Sequence, residues 1–232
     1  MVSLKRISTF AGVGYLIIFI TGFFSNFFVL EKLVTPADAA ITASNILSND
    51  LLFRLGILGF IIMVIFDVML AWALYLILKP VNKDLSLLSG WLRLVNSTIF
   101  GIALYNLFSI LEILSGAEYL KAFVEEQLYA QIMLLIHTFN HTWLIGLIFF
   151  GLHLFLLGYL IIKSHYIPRV IGILLIIASF GYLIDSFANF LMPNYSEFKD
   201  IFLIIVVVPG VIGELSLTFW LLIKGVNIQR AS

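Results

Sequence analysis

An all-α bundle of six transmembrane helices is the fold this sequence predicts, and three observations predict it. The chain is 62% hydrophobic and only 11% charged, whereas soluble domains are nearer half apolar and a quarter charged. Six apolar stretches, near 9–30, 51–78, 92–115, 141–162, 168–191 and 201–223, each reach the ~20 residues needed to cross a hydrocarbon core of about 30 Å. Lysine and arginine fall unevenly on the alternate sides of those stretches. This composition excludes a soluble enzyme, a nucleic-acid-binding protein with a basic face and a disordered chain. The 232 residues read as one integral membrane domain. The chain has no cysteine, which removes disulfides, thiolate chemistry, zinc–thiolate sites and iron–sulfur clusters.

The first stretch follows Lys5-Arg6. Its length exceeds the apolar region of a signal peptide, so it reads as an uncleaved helix, although Ala37-Asp38-Ala39 resembles a cleavage site. In the first outer loop, Thr35 as N-cap, Pro36 at the first helical position and Asp38 in the first turn predict a short outer helix over about 36–47. Asn49-Asp50 can cap the second span. The second, fourth and sixth spans end alike, in Tyr75-Leu-Ile-Leu-Lys79, Tyr159-Leu-Ile-Ile-Lys163 and Trp220-Leu-Leu-Ile-Lys224. In each, the ring suits the headgroup level and the Lys one turn later snorkels to water. Leu120, Phe123, Val124, Leu128 and Ile132 interleave with polar residues over about 117–135. They form either an amphipathic helix on the outer interface or the solvated start of a long fourth helix. In the sixth span, Pro209-Gly210 marks either a broken helix beside a cavity or a mild kink.

Nine Lys and Arg lie on one side: Lys5, Arg6, Lys79, Lys83, Arg93, Lys163, Arg169, Lys224 and Arg230. Four lie on the other: Lys32, Arg54, Lys121 and Lys199. The positive-inside rule then puts both termini in the cytoplasm, in a bacterial cytoplasmic membrane.

Counted from the basic anchors at about 1.5 Å per residue, Asp67, Asn106, His153 and Glu214 fall near one plane at mid-membrane. Asp185 lies somewhat further out. A charge at such a depth costs at least ~2.5–3.5 kcal/mol, so these groups should face one another, a cavity or a ligand. Tyr182, Asp185, Ser186 and Asn189 share one helical face. The set suits a proton relay or ligand site, a buried network fixing helix register, or a metal site using Asp67, His153 and Glu214. His137 and His141, spaced i, i+4, could also hold a metal, but they lack the Glu of the H-E-x-x-H pattern and sit near the outer boundary. Arg54 either pairs with an anion, such as Asp185 or Glu112, or snorkels to outer headgroups. No haem, flavin or nucleotide motif is present, which leaves any cofactor unassigned.

Several stretches taken together resemble a bacterial membrane-protein family catalogued as domain of unknown function 4386. They are Pro36-Ala-Asp-Ala-Ala with Ala43-Ser-Asn-Ile, Leu52-Phe-Arg-Leu-Gly56, Leu78-Lys-Pro-Val-Asn82, Phe149-Phe-Gly-Leu-His153 with Gly158-Tyr-Leu, Pro168-Arg, Gly181-Tyr-Leu-Ile-Asp-Ser186, and Gly213-Glu214 with Trp220-Leu-Leu-Ile-Lys-Gly225. The resemblance spans nearly the whole chain. It implies a single-domain multi-pass membrane protein and no particular activity.

Three functional readings follow. One is binding or translocation of a small solute or lipid headgroup through an outward-facing polar cavity. Another is an intramembrane metal-dependent hydrolase. The third is a structural or accessory membrane subunit. The lipid bilayer is the expected surrounding, and a second copy or another membrane protein is a plausible partner for so few spans. No nucleic acid is expected.

Overall fold

The computed structural model describes residues 3–36 and 38–226. Ala37, in the stretch resembling a cleavage site, and Arg230, in the charge count, lie outside them. Among the described residues seven α-helices follow in order: α1 (Leu4–Leu33), α2 (Ala39–Ser48), α3 (Asp50–Leu78), α4 (Lys83–Ile113), α5 (Glu125–Ser164), α6 (Arg169–Leu191) and α7 (Tyr195–Ile223). Within α1, Phe24–Leu30 is wound as a π-helix, and a 3₁₀ turn covers Glu118–Ala122. All but α2 are long and apolar enough to cross a membrane. No strand occurs among the described residues. The all-α, six-span fold expected from the sequence is the fold observed.

Several boundaries differ from expectation. The cap of α2 is Asp38, whose Oδ1 accepts from the Ile41 amide at 2.9 Å, and Pro36 stays in the preceding turn. Thr35 instead donates its amide to Thr42 Oγ1 at 3.0 Å. The Asn49 side chain closes α2 by donating to the Asn45 carbonyl at 2.9 Å, and its own carbonyl accepts from the Phe53 amide of α3 at 3.0 Å. Helix α4 starts at Lys83, well before the expected 92, because Asn82 Oδ1 caps the Leu85 amide at 3.0 Å. Helix α5 is continuous over 40 residues, about 60 Å at 1.5 Å per residue. Residues from Glu125 are therefore the start of a long fourth span. Helix α7 runs unbroken through Pro209.

Two compact units emerge. One comprises Met1–Ile17, Phe66–Ser97 and Leu144–Ser232, in their described parts. Its core is Leu70, Leu74, Ile77, Leu154, Leu157, Ile161, Leu175 and Leu217. Helices α5 and α6 touch backbone to backbone, since a Cβ on Gly158 would lie 2.5 Å from the Gly172 carbonyl oxygen. Small residues permit such contact where no water drives helices together. Between α6 and α7 the reason is more specific. Pro209 has no N–H, so the Ile205 carbonyl one turn earlier loses its helical donor. The bare Cα of Gly181 packs against that carbonyl, and a Cβ there would come within 2.5 Å of its oxygen. In the α5–α6 turn, Tyr166 donates to the Ile77 carbonyl at 2.6 Å, and burial pushes its phenol up to about 12. Two of the three repeated anchors form cation–π pairs: Lys79 lies 6.0 Å from the Tyr75 ring centroid and Lys163 lies 5.8 Å from that of Tyr159.

The second unit comprises Ile18–Ile65 and Thr98–Trp143. Its core is Val29, Leu33, Ile46, Phe53, Ile57, Leu107, Ile110 and Ile132. Phe100 and Trp143 stack with centroids 3.7 Å apart, and Phe60 and Phe139 pack around the indole.

Gly181→Val should destabilise the protein by about 1–3 kcal/mol through overpacking at the Ile205 carbonyl. Gly101→Ala, where a Cβ meets nothing within 4 Å, should stabilise it by about 0.5–1 kcal/mol. Unfolding midpoints in detergent or nanodiscs read both changes. A tolerated valine at 181 would show that the close approach does not hold α6 to α7.

Candidate functional site

Helix α4 carries Ser86, Ser89, Arg93, Asn96 and Ser97 on one face, at the offsets that stack residues along a helix. Ser86 Oγ donates to the Tyr75 carbonyl at 3.1 Å. Arg93 lies about 15 Å along the helix from Lys83 and is 1% exposed. Its Nη2 meets Asp67 Oδ1 of α3 at 2.5 Å. Asp67 Oδ2 accepts from Asn96 Nδ2 at 3.0 Å and from Ser97 Oγ at 2.6 Å. One face of α4 therefore supplies three donors to a single carboxylate, an arrangement suited to its ionised form.

The other side of the guanidinium faces α1 and α5. Nη1 donates to Tyr15 Oη at 3.2 Å and lies 3.0 Å from His153 Nε2. Arginine can only donate, so Nε2 must accept, and the imidazole proton resides on Nδ1. That proton points to the Ser89 carbonyl at 2.9 Å. His153 is thus neutral and fixed in one tautomer. The Arg93 guanidinium carbon lies 5.1 Å from the Tyr15 ring centroid and 5.5 Å from that of Phe150, so both rings contribute cation–π attraction.

A second polar group runs along α6 and α7 in the same unit. Tyr182, Asp185, Ser186 and Asn189 are buried or half-buried, while Phe180, Ile184 and Phe187 on the opposite face are exposed. Tyr182 Oη donates to Glu214 Oε1 at 3.2 Å, and Tyr195 Oη donates to Asp185 Oδ1 at 2.6 Å. Phe150 meets Tyr182 edge-on at 5.2 Å, so one ring touches both the arginine knot and this stripe. Glu214 is half-buried and within electrostatic range of Arg93. The buried Arg93 Nε, Asn96 Oδ1, Ser179 Oγ and Ser186 Oγ have no hydrogen-bond partner among the described residues.

Of the residues expected in one layer, Asp67 and His153 are brought together, with Arg93 between them. Glu214 joins through Tyr182 and the field of Arg93. Asp185 pairs with Tyr195. Asn106 belongs to the second unit, and its amide is used by its own helix at the Ala103 carbonyl, 3.1 Å away. Arg54 departs from the expected pairing with Asp185 or Glu112. It bonds Asp50 one turn back at 2.8 Å, and both side chains are exposed. Glu112 accepts from Tyr119, which raises the Tyr119 phenol above its ordinary value. His137 and His141 are exposed on α5. Among the described residues, no three His, Asp or Glu side chains converge as metal ligands.

The chain belongs to the family described as a domain of unknown function (DUF4386), which matches residues 10–225. An uncharacterized protein of Archaeoglobus fulgidus is 34% identical over 175 residues, covering 75% of this chain and 86% of that protein. No solved structure matches the chain. Every residue of the knot and the stripe lies within the matched segment.

Arg93 is the residue that sequence reasoning misplaced. Counted as an inner-rim anchor, it also set a false zero for depth along α4. The signal was available in Asn82-Lys83-Asp84, a helix start followed by serines at helical spacing. Tyr15 and the Asn96-Ser97 pair gave no charge signal. Asp67→Asn should destabilise the protein by about 3–5 kcal/mol, since it leaves the Arg93 charge buried without a counter-charge. The double replacement Asp67→Leu with Arg93→Met should cost markedly less. Thermal unfolding of the two variants reads this, and equal losses in the single and double variants would contradict a knot built on charge.

Proposed function

We propose that this multi-pass membrane protein binds a small solute or a lipid headgroup on the α6–α7 stripe and passes it along Asn189, Asp185, Tyr182 and Glu214. The observation that carries this reading is the state of Glu214. It lies on a helix long enough to span the membrane, yet it is half-buried and, among the described residues, its carboxylate accepts one hydrogen bond, from Tyr182. A carboxylate held so loosely at that depth is costly unless water or a ligand reaches it. The arginine knot serves packing, because Asp67 is saturated by three donors and both His153 nitrogens are engaged. That engagement also weighs against a metal-dependent hydrolase at Asp67, His153 and Glu214.

In the orientation favoured by the basic residues, both termini are cytoplasmic and the stripe opens outward near Tyr195, in the cytoplasmic membrane. The cysteine-free chain makes the test direct. A membrane-impermeant thiol reagent added from outside should modify Asn189→Cys and Glu214→Cys in intact cells, and should spare the lipid-facing controls Ile184→Cys and Phe187→Cys. Failure to label positions 189 and 214 would refute a water-accessible stripe. For orientation, Glu118→Cys should react from outside and His165→Cys only after permeabilisation. The reverse pattern would invert the topology.

A further inference from the structure

We propose that the α6–α7 stripe is a site for an ammonium group, carried either by a free amine or by a lipid headgroup. This rests on the stripe being a binding surface and names the chemical class it takes. Charge is the first argument. Within the first unit, Arg93 is committed to Asp67 by a direct ion pair, and His153 is held neutral by its donors and acceptors. Glu214 and Asp185 make no ion pair within 4 Å among the described residues. Each takes instead a tyrosine hydroxyl. Tyr182 and Asp185, spaced i, i+3, lie on one face of α6, so the Tyr195–Asp185 and Tyr182–Glu214 pairs follow one another along a single run of that helix. With the carboxylates ionised, that run carries uncompensated negative charge inside apolar helices.

The second argument is the donor and acceptor inventory. Glu214 and Asp185 offer carboxylate oxygens, and Ser186, adjacent to Asp185 on the same face of α6, is fully buried with an unpartnered hydroxyl. An ammonium group brings up to three donors and no acceptor. The third argument is aromatic. Tyr182 lies against Phe150, and Tyr195 stacks on Phe202 with centroids 5.2 Å apart. Aromatic faces beside carboxylates attract organic ammonium ions. Divalent metals fit poorly, since no three ligating side chains converge among the described residues.

The test uses full-length Asn189→Cys protein in vesicles and measures its rate of modification by the impermeant thiol reagent. Tetramethylammonium and ethanolamine are the probes, with sodium and phosphate as controls. A free-amine site predicts that the amines slow labelling and that Glu214→Gln or Asp185→Asn raises the concentration required by about tenfold or more, the scale of a lost charge-assisted bond. A headgroup site predicts no effect of soluble amines. It predicts instead retention of phosphatidylethanolamine over phosphatidylglycerol in native mass spectra, lost in Glu214→Gln. Equal protection by sodium, protection by phosphate, or no protection with no lipid preference would each overturn the assignment. Labelling of Asn189→Cys without any ligand reports separately whether the stripe is open to water. Failure of the ammonium assignment is thereby distinguishable from failure of the binding surface itself.

Discussion

One guanidinium governs the first unit. Arg93 is 1% exposed within a helix long and apolar enough to cross a membrane, and an unpaired charge there would be prohibitive. Its neutralisation draws on four elements. Helix α3 provides the carboxylate of Asp67, α4 provides Asn96 and Ser97 to hold that carboxylate, α1 provides Tyr15 and α5 provides His153. Each bond is directional, so together they set the rotation of each helix about its own axis, which apolar packing alone specifies weakly. Leu70 and Leu74 on the helix of Asp67, and Leu154 and Leu157 on the helix of His153, are buried in the same unit. Buried ion pairs are poor sources of net stability, and here the pair is better understood as selecting one arrangement among many apolar ones.

The knot and the stripe differ in how fully their groups are used. Asp67 takes three donors, and His153 uses both nitrogens. Glu214 shares one bond and keeps partial exposure. Groups that only fix packing are expected to be saturated, while groups that meet a changing partner must keep something in reserve. That criterion is why the binding surface we propose is placed on α6 and α7 and not on the knot. Phe150 is the shared wall, since its face lies against Arg93 and its ring meets Tyr182.

Much of this was legible in the sequence, for physical reasons. Span number follows from hydrocarbon thickness, and the stripe on α6 follows from helical periodicity. Asp67, His153 and Glu214 stand out by depth because charge at mid-span is costly wherever it occurs. Depth misleads where the ruler's zero is wrong. Arg93 resembles an interfacial anchor unless Asn82 is recognised as the cap of α4, and Asn106 was drawn into the layer by the same error. Arg54 illustrates another limit. Distant acids were weighed as partners, while Asp50, one turn away, meets it at little entropic cost. Tyr15 carries no formal charge, so nothing in the sequence marked it as a ligand of Arg93.

Pro209 has a consequence beyond the shape of its own helix. By withholding an N–H it leaves the Ile205 carbonyl dependent on a neighbour, and Gly181 is the neighbour in place. A Cα–H···O contact of this kind is worth about 0.5–1 kcal/mol, and parting the helices there would forfeit it together with the packing of Gly210 on Tyr182 and of Gly213 on Leu174. Three close contacts spaced along the pair resist rotation of α7 as well as its separation from α6. The azimuth of Glu214 toward Tyr182 is thereby set by glycines as well as by the hydrogen bond between the two side chains.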